Sequence, residues 1–98
     1  MKGFDKLNKA FDSRVRLGVM SILMVSDWVK YGDLKEKLGL TDGNLASHIS
    51  ALEKLKYIEI KKQFVGKRPL TTYRVSRAGR KAFEDHLNGL EAILKGGQ

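Results

Sequence analysis

The sequence predicts a mainly α-helical domain carrying one small β-hairpin, an α+β fold whose hairpin stands between the last two helices. Three observations predict it. Apolar residues recur at helical spacing through most of the chain, and a glycine at position 39 separates a short amphipathic segment from a longer one. Residues 57–75 then switch to β-branched and aromatic side chains around Gly66 and Pro69. The 98 residues suffice for one domain, 1–98, with a single modest core.

Phe4, Leu7 and Phe11, spaced by three and four, predict a short amphipathic helix that needs a surface to cover, one candidate being a second subunit. Ser13 is placed to cap a helix running to about Trp28. This helix carries Val15, Val19, Ile22 and Leu23 on one side and Leu17, Met20, Met24 and Val25 elsewhere. A helix apolar nearly all round is buried on more than one side, so one face is expected to pack internally and another against a partner protomer. Val29–Tyr31 predicts a brief strand, and Gly32–Leu38 a two-turn helix with Leu34 and Leu38 four apart. Gly39 ends it, because glycine adopts positive φ cheaply, and Thr41 caps the next helix, 41–56. Short helix, glycine turn and second helix make a helix-turn-helix arrangement.

Tyr57–Phe64 and Leu70–Val75 are the hairpin arms, Ile58, Ile60 and Phe64 sharing one parity and Tyr73 and Val75 another. Gly66 supplies flexibility between them, and Pro69, lacking an N–H, marks where ladder pairing cannot continue. From Ser76, a cap, a last helix runs to about Leu94 with Phe83, Leu87, Leu90 and Leu94 on a heptad-like seam. Gly96–Gln98 is expected to fray. Phe4, Leu7, Phe11, Phe83, Leu87, Leu90 and Leu94 form the predicted homodimer surface.

Net charge is +8, and its placement tells more than its size. Residues 1–53 hold 8 basic against 7 acidic side chains, whereas residues 54–81 hold 10 basic against Glu59 alone. So local a positive field points to a polyanion. The absence of cysteine excludes disulfide scaffolds, thiolate zinc sites and thiol redox switches. His48 and His86 lack clustered partners, so no metal or other cofactor is expected. The N-terminus lacks the apolar run of a secretory signal, and Leu17–Val25 is too short for the roughly 20 apolar residues of a membrane span. A soluble cytoplasmic protein without a membrane partner is expected.

Leu45, Ile49, Leu52 and Leu55 form one stripe of the 41–56 helix, so turning by about 100° per residue puts Gly43, Ser47, Ser50 and Lys54 opposite them. Asn44 and Ala51 flank this slim polar ridge on one side and Ala46 on the other. Small side chains let a helix enter a major groove about 12 Å wide, where Asn and Ser can hydrogen-bond base edges. Free amides after Thr41 suit a phosphate, although Asp42 opposes it and reads first as a capping residue. His48 lies nearer the apolar edge, available either to a phosphate or to local packing. Lys67 and Arg68 occupy the hairpin tip, where a narrow minor groove would attract them. Lys61, Lys62, Thr71, Thr72, Arg74 and Arg77 are candidate phosphate contacts, with Arg80 and Lys81 pointing in different directions beyond them.

The stretch Gly66-Lys-Arg-Pro-Leu-Thr-Thr-Tyr-Arg-Val-Ser-Arg-Ala-Gly-Arg80, following this order of helices, resembles the winged helix-turn-helix regulators of the MarR and ArsR type, above all their small single-domain relatives. The resemblance spans residues 11–90. It implies that the 41–56 helix enters the major groove of double-stranded DNA, that Lys67 and Arg68 form the wing tip, and that extra N- and C-terminal helices dimerise. Val65-Gly-Lys-Arg68 replaces the Asp-x-Arg pattern common in MarR-type wings, so an Asp-positioned arginine does not carry over.

Catalysis is the weakest competing reading. Ser47 and His48 are helix neighbours that do not face each other, and neither a phosphate loop nor a carboxylate pair among apolar residues is present. A winged helix serving RNA or protein contact is the other alternative. RNA recognition usually exposes stacking aromatics, whereas Tyr57, Phe64, Tyr73 and Phe83 fall at core-like positions. A small-molecule effector pocket between dimer-forming helices is a further reading for Met20, Met24, Trp28 and Tyr31, which fit simple core equally.

Overall fold

Caps and stops written locally in the sequence set most of the element boundaries. The computed structural model describes residues 2–96. Among them, α1 (Arg14–Met24), β1 (Val29–Lys30), α2 (Tyr31–Leu38), α3 (Asp42–Lys54), β2 (Ile58–Val65), β3 (Arg68–Val75) and α4 (Arg77–Leu94) follow in order. Gly97 and Gln98 of the segment expected to fray lie outside the described residues. The hydroxyls of Ser13, Thr41 and Ser76 accept the N–H groups of Arg16, Asn44 and Gly79, satisfying one orphan donor at each helix start. Gly39 at φ 63° closes α2, its N–H donating to the Glu36 carbonyl and that of Leu40 to the Lys35 carbonyl.

Residues 2–12 depart from the expected helix and include two 3-10 turns, Phe4–Lys6 and Lys9–Phe11. Asn8 separates them, its side-chain oxygen accepting the Ala10 N–H at 2.9 Å. The preceding chain crosses α4 at close range, since a Cβ on Gly89 would lie 2.6 Å from the Gly3 carbonyl oxygen. Helix α1 ends at Met24, short of Trp28. Trp28 is instead held against the sheet, Lys61 Nζ lying 4.4 Å and the Arg74 guanidinium 4.5 Å from its ring centre.

The core joins Val19, Met20 and Leu23 of α1 to Leu34 of α2, Leu45, Ile49 and Leu52 of α3, and Ile58, Tyr73 and Val75 of the sheet. Each fully buried leucine contributes about 2 kcal/mol of transfer free energy. Phe11 and Phe83 belong to this core, both 3% exposed with ring centres 5.1 Å apart, edge to face. This corrects their assignment to a subunit contact: their rings fasten the N-terminal segment to α4 within one chain.

The sheet is antiparallel in the order β1-β3-β2. Pairing runs from Ile58↔Val75 to Val65↔Arg68, closed by the two-residue loop Gly66-Lys67. Gly66 has φ 66° while Lys67 does not enter positive φ, the pattern of a type II′ hairpin turn. The ladder thus continues through Pro69, opposite Phe64, contrary to the expected stop. Alternation from the hydrogen-bonded closing pair makes Phe64↔Pro69 a non-hydrogen-bonded pair, so the missing N–H costs no β2 bond. The other edge of β3 is open there, because β1 pairs only with Tyr73 and Thr72.

Candidate nucleic-acid interface

Leu45, Ile49 and Leu52 face the core, which turns the opposite side of α3 outward. Thr41, Gly43, Asn44, Ser47, Ser50 and Lys54 are all exposed. The Ser47 hydroxyl donates back to the Asn44 carbonyl at 3.1 Å, leaving its oxygen lone pairs toward solvent. Asp42, read first as a capping residue, is not the cap; its carboxylate pairs with Lys35 at 3.0 Å, and its carbonyl accepts the Tyr31 hydroxyl at 2.9 Å. The α2 helix therefore both braces the start of α3 and offsets the one charge there that would repel a phosphate. Neither Lys35 nor Tyr31 was legible as part of this site, because their roles arise only when two helices dock.

His48 is half-buried and its Nδ1 accepts the Nε–H of Arg16 at 3.1 Å. Arg16 is thus held beside the ridge by α3 itself, a second cation that helical periodicity did not single out.

The hairpin projects from the body, since every β2 side chain beyond Ile60 is exposed, β3 is exposed from Pro69 to the tip, and the molecule measures 56 × 25 × 21 Å. The five residues of β2 beyond Ile60 span about 17 Å. Lys67 and Arg68 are exposed at its tip. Among the described residues, Lys54, Lys62, Lys67, Arg68 and Arg77 have no carboxylate within 4.0 Å.

The remaining hairpin candidates separate by face. Lys62 and half-buried Thr71 lie on the side continuing from the core-facing Ile58 and Ile60, whereas Lys61, Thr72 and Arg74 lie on the other. Thr72 is 6% exposed between both neighbouring strands, so its side chain is removed from the contact surface. Arg74 is engaged within the chain: Nε donates to Glu59 at 2.6 Å, Asp27 is 3.9 Å away and its plane lies over Trp28. Lys61 shares that ring and is correspondingly less free to reach a backbone.

Phe64 is 74% exposed, correcting its assignment to the core. Parity was right, but β2 side chains are exposed from Lys61 to the tip, and Phe64 stands within that stretch. The four candidates for an effector pocket are likewise dispersed: Met20 is fully buried, Met24 is half-buried against the core, Tyr31 lies tilted against Tyr73 on the core-facing side, and Trp28 lies over the outer face.

The sequence profile of the winged helix DNA-binding domain family matches residues 15–94. The chain belongs to that family. As a winged helix, it is 37% identical over 87 residues to an uncharacterised protein of Methanocaldococcus jannaschii, covering 89% of this chain and 95% of the relative. A solved transcriptional regulator homologue from Pyrococcus horikoshii OT3 superposes with a TM-score of 0.81 at 30% identity, over 89% of this chain and 86% of that one. The S. aureus MepR–DNA complex shares the fold, with a TM-score of 0.75 at 15% identity over 96% and 80% of the two chains. The α2–α3 pair followed by the β2–β3 hairpin and α4 lies within the matched residues. No helix among the described residues is long and apolar enough to cross a membrane.

Proposed function

We propose that this winged helix is a cytoplasmic, homodimeric transcriptional regulator, acting as a repressor, that binds double-stranded DNA sequence-specifically. The α3 ridge enters the major groove, with Asn44, Ser47 and Ser50 meeting base edges. Lys54, Lys62 and Arg77 meet phosphates, and Lys67 and Arg68 reach the adjacent minor groove. The observation that carries this reading is the pairing of an outward polar ridge on α3 with a projecting, carboxylate-free cationic tip. The DNA-bound state of MepR, a protein of the same fold, supports it further.

Homodimerisation rests on apolar surface that the chain leaves uncovered: Phe4 is 65%, Leu87 44%, Leu90 38% and Leu94 85% exposed. Leu7 is half-buried against α4 and borders them. Repression is the simpler mode, because occupying DNA needs no surface for recruiting polymerase.

Selection of bound sites from random duplex DNA, run beside an RNA competitor, tests polymer class and symmetry together. Enrichment of pseudo-palindromes with half-sites about one duplex turn apart is expected. Equal competition by RNA, or no enrichment, would overturn the reading.

A further inference from the structure

Phe64 and Pro69 are cross-strand partners on one face of the projecting wing, and Phe64 is 74% exposed. Lys62 shares that face two residues earlier and Lys67 stands in the turn beyond it, while Arg68, paired with Val65, belongs to the opposite face; the strip of apolar surface thus lies between Lys62 and Lys67, neither of which has a carboxylate within 4.0 Å among the described residues. The face continues from Ile58, which packs in the same core as Ile49 and Leu52 of α3, so it lies on the recognition-helix side of the sheet.

Apolar surface set between unpaired cations matches one feature of a duplex: the sugar, which is the apolar part of a backbone whose phosphates lie to either side. We propose that the Phe64–Pro69 strip packs against deoxyribose at the edge of the minor groove and makes the wing selective for DNA over RNA. The inference rests on the DNA-binding reading above and adds a contact that charge alone does not supply. A ribose would place its 2′-hydroxyl, a group that demands hydrogen bonds, against a ring and a prolyl face that offer none. The A-form duplex that ribose favours also presents a wide, shallow minor groove in place of a narrow one.

The test uses the full chain and its selected duplex. Phe64→Ala should weaken binding about tenfold, leaving the slope of log K against log salt unchanged because no counterion contact is lost. Lys67→Ala with Arg68→Ala should flatten that slope by about 0.9 for each lost phosphate contact. Ribonucleotides placed at the wing-proximal positions should weaken wild type but have little further effect on Phe64→Ala, while Phe64→Leu should retain part of the discrimination. Circular dichroism checks that Phe64→Ala keeps the fold, as its exposure leads one to expect.

If wild type fails to bind duplex DNA, the functional reading itself falls. If wild type binds and Phe64→Ala binds equally well, or both respond alike to ribose, only the sugar contact is overturned. A changed oligomeric mass with unchanged affinity per protomer would assign the ring to a contact between copies and likewise overturn it.

Discussion

The Thr72 hydroxyl is buried without a hydrogen-bond partner among the described residues, an unfavourable placement in the middle strand of the sheet. Replacing it by an isosteric methyl removes a desolvated polar group, so Thr72→Val should raise stability by about 1 kcal/mol in urea unfolding. DNA affinity should not change, and a loss would return Thr72 to the contact surface. Its neighbour Tyr73 is buried, and its phenol is held above the ordinary value of 10.0 first by desolvation, then by repulsion from Tyr31 and Glu53. The folded chain therefore keeps this proton more tightly than the unfolded one. Stability linked to it is complete below pH 10.0 and is lost as pH rises through the higher folded-state value. Tyr73→Phe should retain more of its neutral-pH stability in alkali than wild type does, measured by paired unfolding curves. Equal alkaline losses would show that Tyr73 does not titrate differently in the two states. The core-like position of Tyr73 was legible from β alternation, but the burial of Thr72 was not, because alternation assigns a face and cannot show that Trp28, from before β1, folds against it.

At the scale of elements, the junction between wing and α4 explains why a glycine follows three residues after Ser76. The Ser76 hydroxyl donates to the Lys56 carbonyl at 2.7 Å and accepts the Gly79 N–H at 2.9 Å, while the Ser76 N–H donates to the Tyr57 carbonyl. A Cβ on Gly79 would stand 2.0 Å from that same carbonyl oxygen, which is backbone and cannot swing aside. Gly79→Ala must therefore lift α4 from the start of β2 and should cost about 3 kcal/mol, read as a lowered midpoint of thermal unfolding. Normal stability would mean that the junction relaxes freely. Caps such as Ser13, Thr41 and Ser76 were legible because their chemistry is local, as was the Gly39 stop. The ridge on α3 was legible for the same reason: helical periodicity fixes which side chains oppose Leu45, Ile49 and Leu52. The N-terminal 3-10 turns, the bonds of Arg16 and Lys35 to α3 residues, and the length of the hairpin were not, since each depends on a partner distant in sequence. Phe64 shows the limit most plainly, its parity being readable while the end of its cover was not.

At the scale of the molecule, the chain separates two kinds of surface. Cationic side chains concentrate on the hairpin and its flanks, while α4 and the segment seated on it expose Phe4, Leu87, Leu90 and Leu94. A positive surface opposes self-association, whereas an exposed apolar helix face favours it, so two copies would join through α4 with their wings left free for DNA. Leu87→Glu combined with Leu90→Glu tests this without emptying the core, because both side chains are already more than a third exposed. Light scattering at tens of micromolar should find wild type as a dimer and the double variant as a monomer of unchanged circular dichroism. Binding to a duplex carrying one half-site should be nearly preserved, since the α3 ridge and wing are untouched. Binding to the full pseudo-palindrome should fall about a hundredfold, the advantage of engaging a second site from the same assembly. A double variant that keeps wild-type mass, or one that loses half-site and full-site binding equally, would place the subunit contact elsewhere.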